Sequence, residues 1–242
     1  DLLAILALLL LLRIVLAPVL VAPLFNHYTP LPPGKLRSDI AGLADRAGIS
    51  NAAILVEDTS KRTTHVNAYV TGLGPTTRIV INDTALRLLP EDEVLAMVGH
   101  EMGHYVGEDV WIRYLSAVLG AAAFLRIAAS ALPALQRRFS VRWHIQSLTD
   151  IASLPMALLL LSLFLLLQDP IENSESRYLE HRADAYGLRL TGLNNAMIRL
   201  FIGFAVRDYS DPNPPALLQF WFYSHPPLSE RIDFAGKYHP TR

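Results

Sequence analysis

The chain has 242 residues, of which 52% are hydrophobic and only 18% charged, with a formal net charge of −1 and a mean hydropathy of +0.30. So balanced a charge leaves no electrostatic footprint for nucleic acid, and the apolar excess points to a membrane protein. The absence of cysteine excludes disulfides, thiolate metal ligands and a cysteine nucleophile.

The first predicted element is the apolar stretch 2–21, interrupted by Arg13. About 20 apolar residues cross a hydrocarbon core of about 30 Å, so a transmembrane helix is expected over residues 1–22. It has neither a basic leader nor a small-residue cleavage site, and it reads as a span rather than a removable signal. With Asp1 in place of methionine, residue 1 reads as interior to a longer protein.

A first part of a polar domain is expected over residues 23–110. The Pro-rich run 30–34 ends the lead-in, and Leu36, Ile40 and Leu43 have the spacing of an amphipathic helix over 35–47, with Gly48 suited to its end. Residues 53–57, 64–71 and 78–81 are rich in β-branched and aromatic side chains and predict a small, mainly antiparallel sheet. An exposed edge of such a sheet can hold an extended peptide by backbone hydrogen bonds. Asn67 is the candidate substrate-facing residue there; the alternative is a strand polar residue turned to water.

Residues 91–98 read as a helix that continues into His100-Glu101-Met102-Gly103-His104, an HExxH pattern. Histidines four residues apart leave one helix face about one turn apart, so both imidazoles can reach a single metal ion with Glu101 beside it. Two histidines on a helix are also common as packed or surface residues, so the pattern needs support from elsewhere in the chain. The longer motif HExxHxxGxxH reaches its glycine at Gly107 and then fails, because Val110 stands where the third histidine is required.

Two further apolar stretches follow, 111–135 with Arg113 and Arg126 inside it, and 151–168 with no charge. Both are expected to span the membrane, joined by a short basic linker over 136–150; the arginines leave a buried or interfacial helix as the alternative for 111–135. The second polar part, 169–242, opens with the run ENSESRYLEHRADAYG over 172–187. Two histidines leave a tetrahedral zinc short of a third protein ligand. Glu180 can supply it, and Asp184, one turn on, can accept a hydrogen bond from a ligating histidine and fix its tautomer. Glu172, Glu175 and His181 are rivals in the same stretch, but neither Glu175 nor His181 has a carboxylate one turn on. The bland alternative is an amphipathic helix in which Arg177, Glu180 and Asp184 make exposed ion pairs. By helical rise the second span starts roughly 10 Å from His104. Both halves of such a site therefore leave the same membrane face, close to the lipid.

These residues resemble a known family, the integral-membrane zinc peptidases that include the type I CAAX prenyl endopeptidases and the bacterial heat-shock membrane proteases. Asn173, Ser176, Arg177, Glu180, Ala183 and Asp184 are similar to its NxxSRxxExxAD signature. SKRTTHVNAYVTG from Ser60, RIVINDTAL from Arg78 and SHPPLSERI from Ser224 are similar to other segments of the family, with the prenyl-endopeptidase branch the nearer match. The resemblance implies a mainly α membrane protein: transmembrane helices plus a gluzincin-like zinc peptidase domain with its small antiparallel sheet. It implies one zinc ion per chain on His100, His104 and Glu180, Glu101 as general base, and active-site roles for His225 and Arg231.

The expected function is therefore a membrane zinc endopeptidase acting on peptide or membrane-protein substrates, in CAAX-type processing or membrane-protein quality control. The alternative is a non-catalytic, zinc-stabilised membrane scaffold or adaptor, for which Glu101 would have no use. Lipid is an expected partner and nucleic acid is not; no oligomeric state is legible. Arg137, Arg138 and Arg142 would by the positive-inside rule put the catalytic region outside, whereas the resemblance puts it in the cytosol. Arginine outnumbers lysine 18 to 3, a composition that favours a bacterial cytoplasmic membrane over the endoplasmic reticulum and quality control over prenylated substrates.

Overall fold

A computed structural model describes residues 2–239. The apolar lead-in forms α1 (Leu2–Leu16), a π-helical turn (Ala17–Val21) and α2 (Ala22–Phe25). Pro18 lacks a backbone donor, and there the ladder widens, so that the Ala22 N–H bonds to the Ala17 carbonyl. The polar region then runs β1 (Tyr28–Pro30), α3 (Lys35–Arg46), β2 (Ala53–Glu57), β3 (Ala68–Thr71), β4 (Arg78–Asn82), α4 (Asp83–Leu88) and α5 (Glu91–Val106). Two long helices follow, α6 (Asp109–Trp143) and α7 (Leu154–Thr191), and the chain closes with α8 (Asn194–Arg207), α9 (Ala216–Phe222) and α10 (Leu228–Lys237).

The sheet has the order β1-β2-β4-β3 and is mixed: it is mainly antiparallel, as expected, with one parallel pairing. β1 pairs β2 and β3 pairs β4 antiparallel, but β2 and β4 are parallel. The cause lies in the connection after β2. Asp83, at the far end of β4, accepts hydrogen bonds from the Ser60 amide (2.9 Å) and the Thr59 hydroxyl (3.3 Å). The chain is thereby carried past β4, and β3 forms on its outer side. Residues 64–67, expected as strand, are irregular: the Thr84 hydroxyl takes the His65 carbonyl (2.7 Å) in place of a ladder partner.

One face of the sheet supplies Ile54, Ile79 and Ile81 to a core shared with Ile40 and Leu43 of α3, Val94, Met97 and Val98 of α5, and Leu200 and Phe201 of α8. Each such side chain, fully buried, contributes about 1.5–3 kcal/mol. This core fixes α5 against the sheet. α7 packs on the opposite side of α5, and the two backbones come unusually close. A Cβ on Gly103 would lie 2.9 Å from the Ala183 Cα, and one on Gly187 would lie 2.9 Å from the His100 amide nitrogen. Glycine at these two positions is what lets one helix lay its side chains across the other.

Among the described residues, three helical stretches are long and apolar enough to cross a membrane: Leu2–Phe25, Asp109–Trp143 and Ile151–Thr191. α1 buries none of its residues, and Leu115, Leu119, Leu159 and Leu163 of the two long helices are likewise exposed, as side chains facing lipid would be. α6 extends past the expected span, so Arg137, Arg138 and Arg142 sit on its last turns and not in a loop. Arg113 is engaged at the other end, donating to the Ser176 hydroxyl at 3.1 Å. α7 is one continuous helix from the third span to the ligand segment, although it contains Pro170. Proline cannot bond the carbonyl four residues back. The freed Leu166 carbonyl is taken by the Trp221 indole N–H at 3.1 Å, which also ties α9 to the membrane end of α7.

Candidate active site

α5 presents His100, Glu101 and His104, and α7 crosses it so that Glu180 faces both imidazoles. Its Oε2 lies 3.4 Å from His100 Nε2 and its Oε1 3.4 Å from His104 Nε2. The two Nε2 atoms are themselves 3.0 Å apart, and the three groups have ligand atoms all within 4.8 Å of one another. Each imidazole is oriented from its far side: His100 Nδ1 meets Asp184 at 2.8 Å, and His104 Nδ1 meets Asp109 at 2.6 Å. A carboxylate at Nδ1 requires the proton there, which leaves both Nε2 lone pairs directed at the same point as Glu180.

Lone pairs converging without a donor between them call for a cation. Glu180 is buried, and its Oε2 makes no hydrogen bond. The field of the two carboxylates favours positive charge at this point: burial depresses His100, but Asp184 and Glu180 outweigh it and raise its pKa to about 10, so that a proton takes the cation's place on Nε2 when no metal is bound. His104 is likewise raised: burial lowers it, and hydrogen bonds to Asp109 and Glu180 prevail. Two nitrogens and one carboxylate, with no sulfur, suit zinc and leave a fourth position for water. The donor set fits the ion that the sequence motif implies.

Asp184 is held from behind by Arg231, whose Nε and Nη2 donate to its two oxygens at 2.8 and 2.7 Å. Arg231 is buried, stacks over the Phe201 ring at 4.3 Å, and reaches Glu180 at 3.4 Å. His225 Nε2 lies 3.3 Å from Glu180 Oε1, while its Nδ1 meets the Ser224 hydroxyl at 3.0 Å. Burial, opposed by Glu180, lowers the His225 pKa and favours the neutral ring. The segment carrying His225 is stapled to α7: the Arg177 guanidinium donates to the Gln219 and Tyr223 carbonyls, and the Asn173 amide donates to the Trp221 carbonyl. Burial raises the Glu101 carboxyl, and His100 and His104 pull it back only in part.

Two cavities meet at the ligands. One, of about 610 Å³, is lined by Asn67, Phe201, His225 and Arg231. The other, of about 770 Å³, runs between Leu16 and Leu20 of the lead-in and Leu73, Tyr105 and Trp111. Glu101, His104 and Glu180 line both. β3 is one of the two edge strands of the sheet, and its chain passes from Asn67 in the first cavity to Thr71 in the second. The rival ligands lie elsewhere: His181 packs on Phe234, Glu175 accepts from Ser116, and Glu172 accepts from Gln168. Asp109 is the site residue that the sequence reading did not single out. Its only signal was an acidic residue opening a helix five positions after His104.

Apolar helices are joined here to an HExxH helix that meets a distant glutamate. Residues 30–238 match the profile of peptidase family M48, and the chain belongs to that family. It is 38% identical over 220 residues to the uncharacterized metalloprotease YhfN of Bacillus subtilis, covering 91% of this chain and 52% of that protein. It is 31% identical over 240 residues to CAAX prenyl protease 1 of Saccharomyces cerevisiae, with coverage of 91% and 52%. The crystal structure of S. mikatae Ste24p superposes with a TM-score of 0.77 at 30% identity, over 98% of this chain and 58% of that one. The chain thus spans about half the length of the curated relatives it matches.

Proposed function

We propose that the protein is a zinc metalloendopeptidase that cleaves membrane-associated polypeptides in extended form. One observation carries this reading: His100, His104 and Glu180 converge on one point, with Glu101 beside them and a cavity on either side. Held by those three residues, zinc would lower the pKa of a water and polarise the scissile carbonyl. Glu101, its pKa raised by burial, takes the proton of the attacking water and passes it to the leaving amine. Neutral His225 donates to the oxygen on which charge develops. Arg231 acts through Asp184, to which its Nε and Nη2 already donate, and through its charge beside Glu180. The substrate lies along the free edge of β3, with the Asn67 side chain holding its backbone. A scaffold that kept zinc only for stability has no need of a carboxylate in the position of Glu101.

The polar domain in this reading is assembled from residues 23–110 and 169–242, with spans at 1–22, 111–135 and 151–168. Its substrates are tethered in the same bilayer. Several relatives are named CAAX prenyl proteases, but the arginine-rich composition and the likeness to the Bacillus protein favour a bacterial cytoplasmic membrane and quality control of membrane proteins. The catalytic region faces the cytosol, with Arg177 on that side of the third span. The test is reconstitution in liposomes with zinc and an unfolded, lipid-anchored peptide. The unaltered chain releases a fragment; Glu101→Gln retains zinc and loses about 10²- to 10⁴-fold in rate, the contribution of a general base. Undiminished cleavage by that variant would remove Glu101 from its role.

A further inference from the structure

Gly107 and Arg182 have no part in the ligand set, yet both converge on one buried carboxylate. Between α5 and α6 the chain turns within two residues, Gly107 and Glu108, and Glu108 adopts the left-handed conformation with φ 58°. This reversal brings Asp109, the first residue of α6, back beneath His104, where its Oδ2 meets Nδ1 at 2.6 Å. Arg182, two positions past Glu180 on α7, donates to the other oxygen of Asp109 and to the Gly107 carbonyl at 2.8 Å. A Cβ on residue 107 would lie 2.5 Å from that guanidinium, so glycine is what admits the arginine. Asp109 is 4% exposed, and a carboxylate so buried persists only when paired.

We propose that Asp109 is the positioning residue of His104, and that Arg182 locks it in place by bridging the start of α6 to α7. The inference rests on the zinc-peptidase reading above. It makes the two histidines equivalent in design, each held at Nδ1 by a carboxylate that an arginine holds in turn: Asp184 with Arg231, and Asp109 with Arg182. The two clamps differ in where they are anchored. The first joins α7 to α10 inside the polar domain, whereas the second joins α7 to the first residue of α6, the helix that enters the second apolar stretch. His104 is therefore aimed by the packing of α6 on α7.

The test is zinc affinity, measured by chelator competition on the purified full chain, together with the visible spectrum of the cobalt-substituted protein. Asp109→Ala is expected to weaken zinc binding about 10- to 100-fold, the usual effect of removing a partner of a metal-bound histidine, and to alter the cobalt spectrum. Asp109→Asn, which still offers an oxygen to Nδ1–H, recovers most of that affinity. Arg182→Ala weakens binding less than Asp109→Ala, and the double variant binds no more weakly than Asp109→Ala alone, because both losses pass through one hydrogen bond. Zinc affinity and cobalt spectrum unchanged in Asp109→Ala would overturn the proposal. So would losses that simply add in the double variant. Should Asp109→Ala fail to fold, Arg182→Ala decides: a lowered melting temperature with unchanged zinc affinity marks the clamp as structural only. An unaltered chain that takes up no zinc at all is a separate result, and it overturns the metal site itself.

Discussion

At the residue scale the site depends on charges that satisfy one another out of water. Arg231 and Asp184 are both buried and share two hydrogen bonds, and Asp184 in turn orients His100. Removing one member of such a pair leaves the other charged and unpaired, at about 3–5 kcal/mol. Arg231→Met is accordingly expected to lower unfolding stability by an amount of that order, read from denaturant titration of the metal-free chain. Arg231→Lys recovers only part, because an ammonium can neither span both oxygens of Asp184 nor stack flat on Phe201. Equal stability of the lysine variant and the unaltered chain would show that charge alone is required. The grouping of His100 and His104 with Glu180 was legible in the intervals of four between the two histidines and between Glu180 and Asp184, because helix geometry turns such an interval into a shared face. Asp109 was not. Its approach to His104 depends on a left-handed residue at Glu108, and no side chain of that type announces such a turn.

At the scale of elements, the crossing of α5 and α7 builds the site. Gly103→Ala would set a methyl group 2.9 Å from the Ala183 Cα, where backbone and not a flexible side chain must yield. The expected cost is about 1–3 kcal/mol, with weaker zinc binding as Glu180 retreats from the histidines. Gly42 in α3 is the control, since nothing lies within 4 Å of a Cβ there. Gly42→Ala should be neutral or stabilise by up to about 1 kcal/mol, because alanine favours helix. If both substitutions leave stability and zinc affinity alike, close backbone approach is not what positions Glu180. Of the helices, α1, α3, α5 and the apolar parts of α6 and α7 were readable from apolar spacing, whereas α8, α9 and α10 were not singled out, and two further features were not legible. Parallel pairing of β2 with β4 depends on Asp83 capturing the chain near Ser60, a contact between segments far apart in sequence. The continuity of α7 through Pro170 depends on Trp221, which satisfies the carbonyl that the proline abandons.

At the scale of the whole molecule, the proposed polar domain is assembled from two stretches of chain separated by two helices long and apolar enough to cross a membrane, and α7 belongs to both parts. In that reading the bilayer is part of the scaffold that brings Glu180 to α5. Leu159, exposed on the charge-free stretch of α7, is a position where that dependence can be tested. Leu159→Lys places a charge near the middle of the span, at a cost of about 2.5–3.5 kcal/mol of insertion free energy. Flotation of membranes should then show the variant depleted from the bilayer fraction, and full retention would argue that this helix does not cross. The most direct test of the account is a zinc-edge anomalous diffraction map of the zinc-loaded chain. One peak bonded to His100, His104 and Glu180 is the predicted result. A map with no peak there, or with the Glu180 carboxylate turned away from the ion, would contradict it.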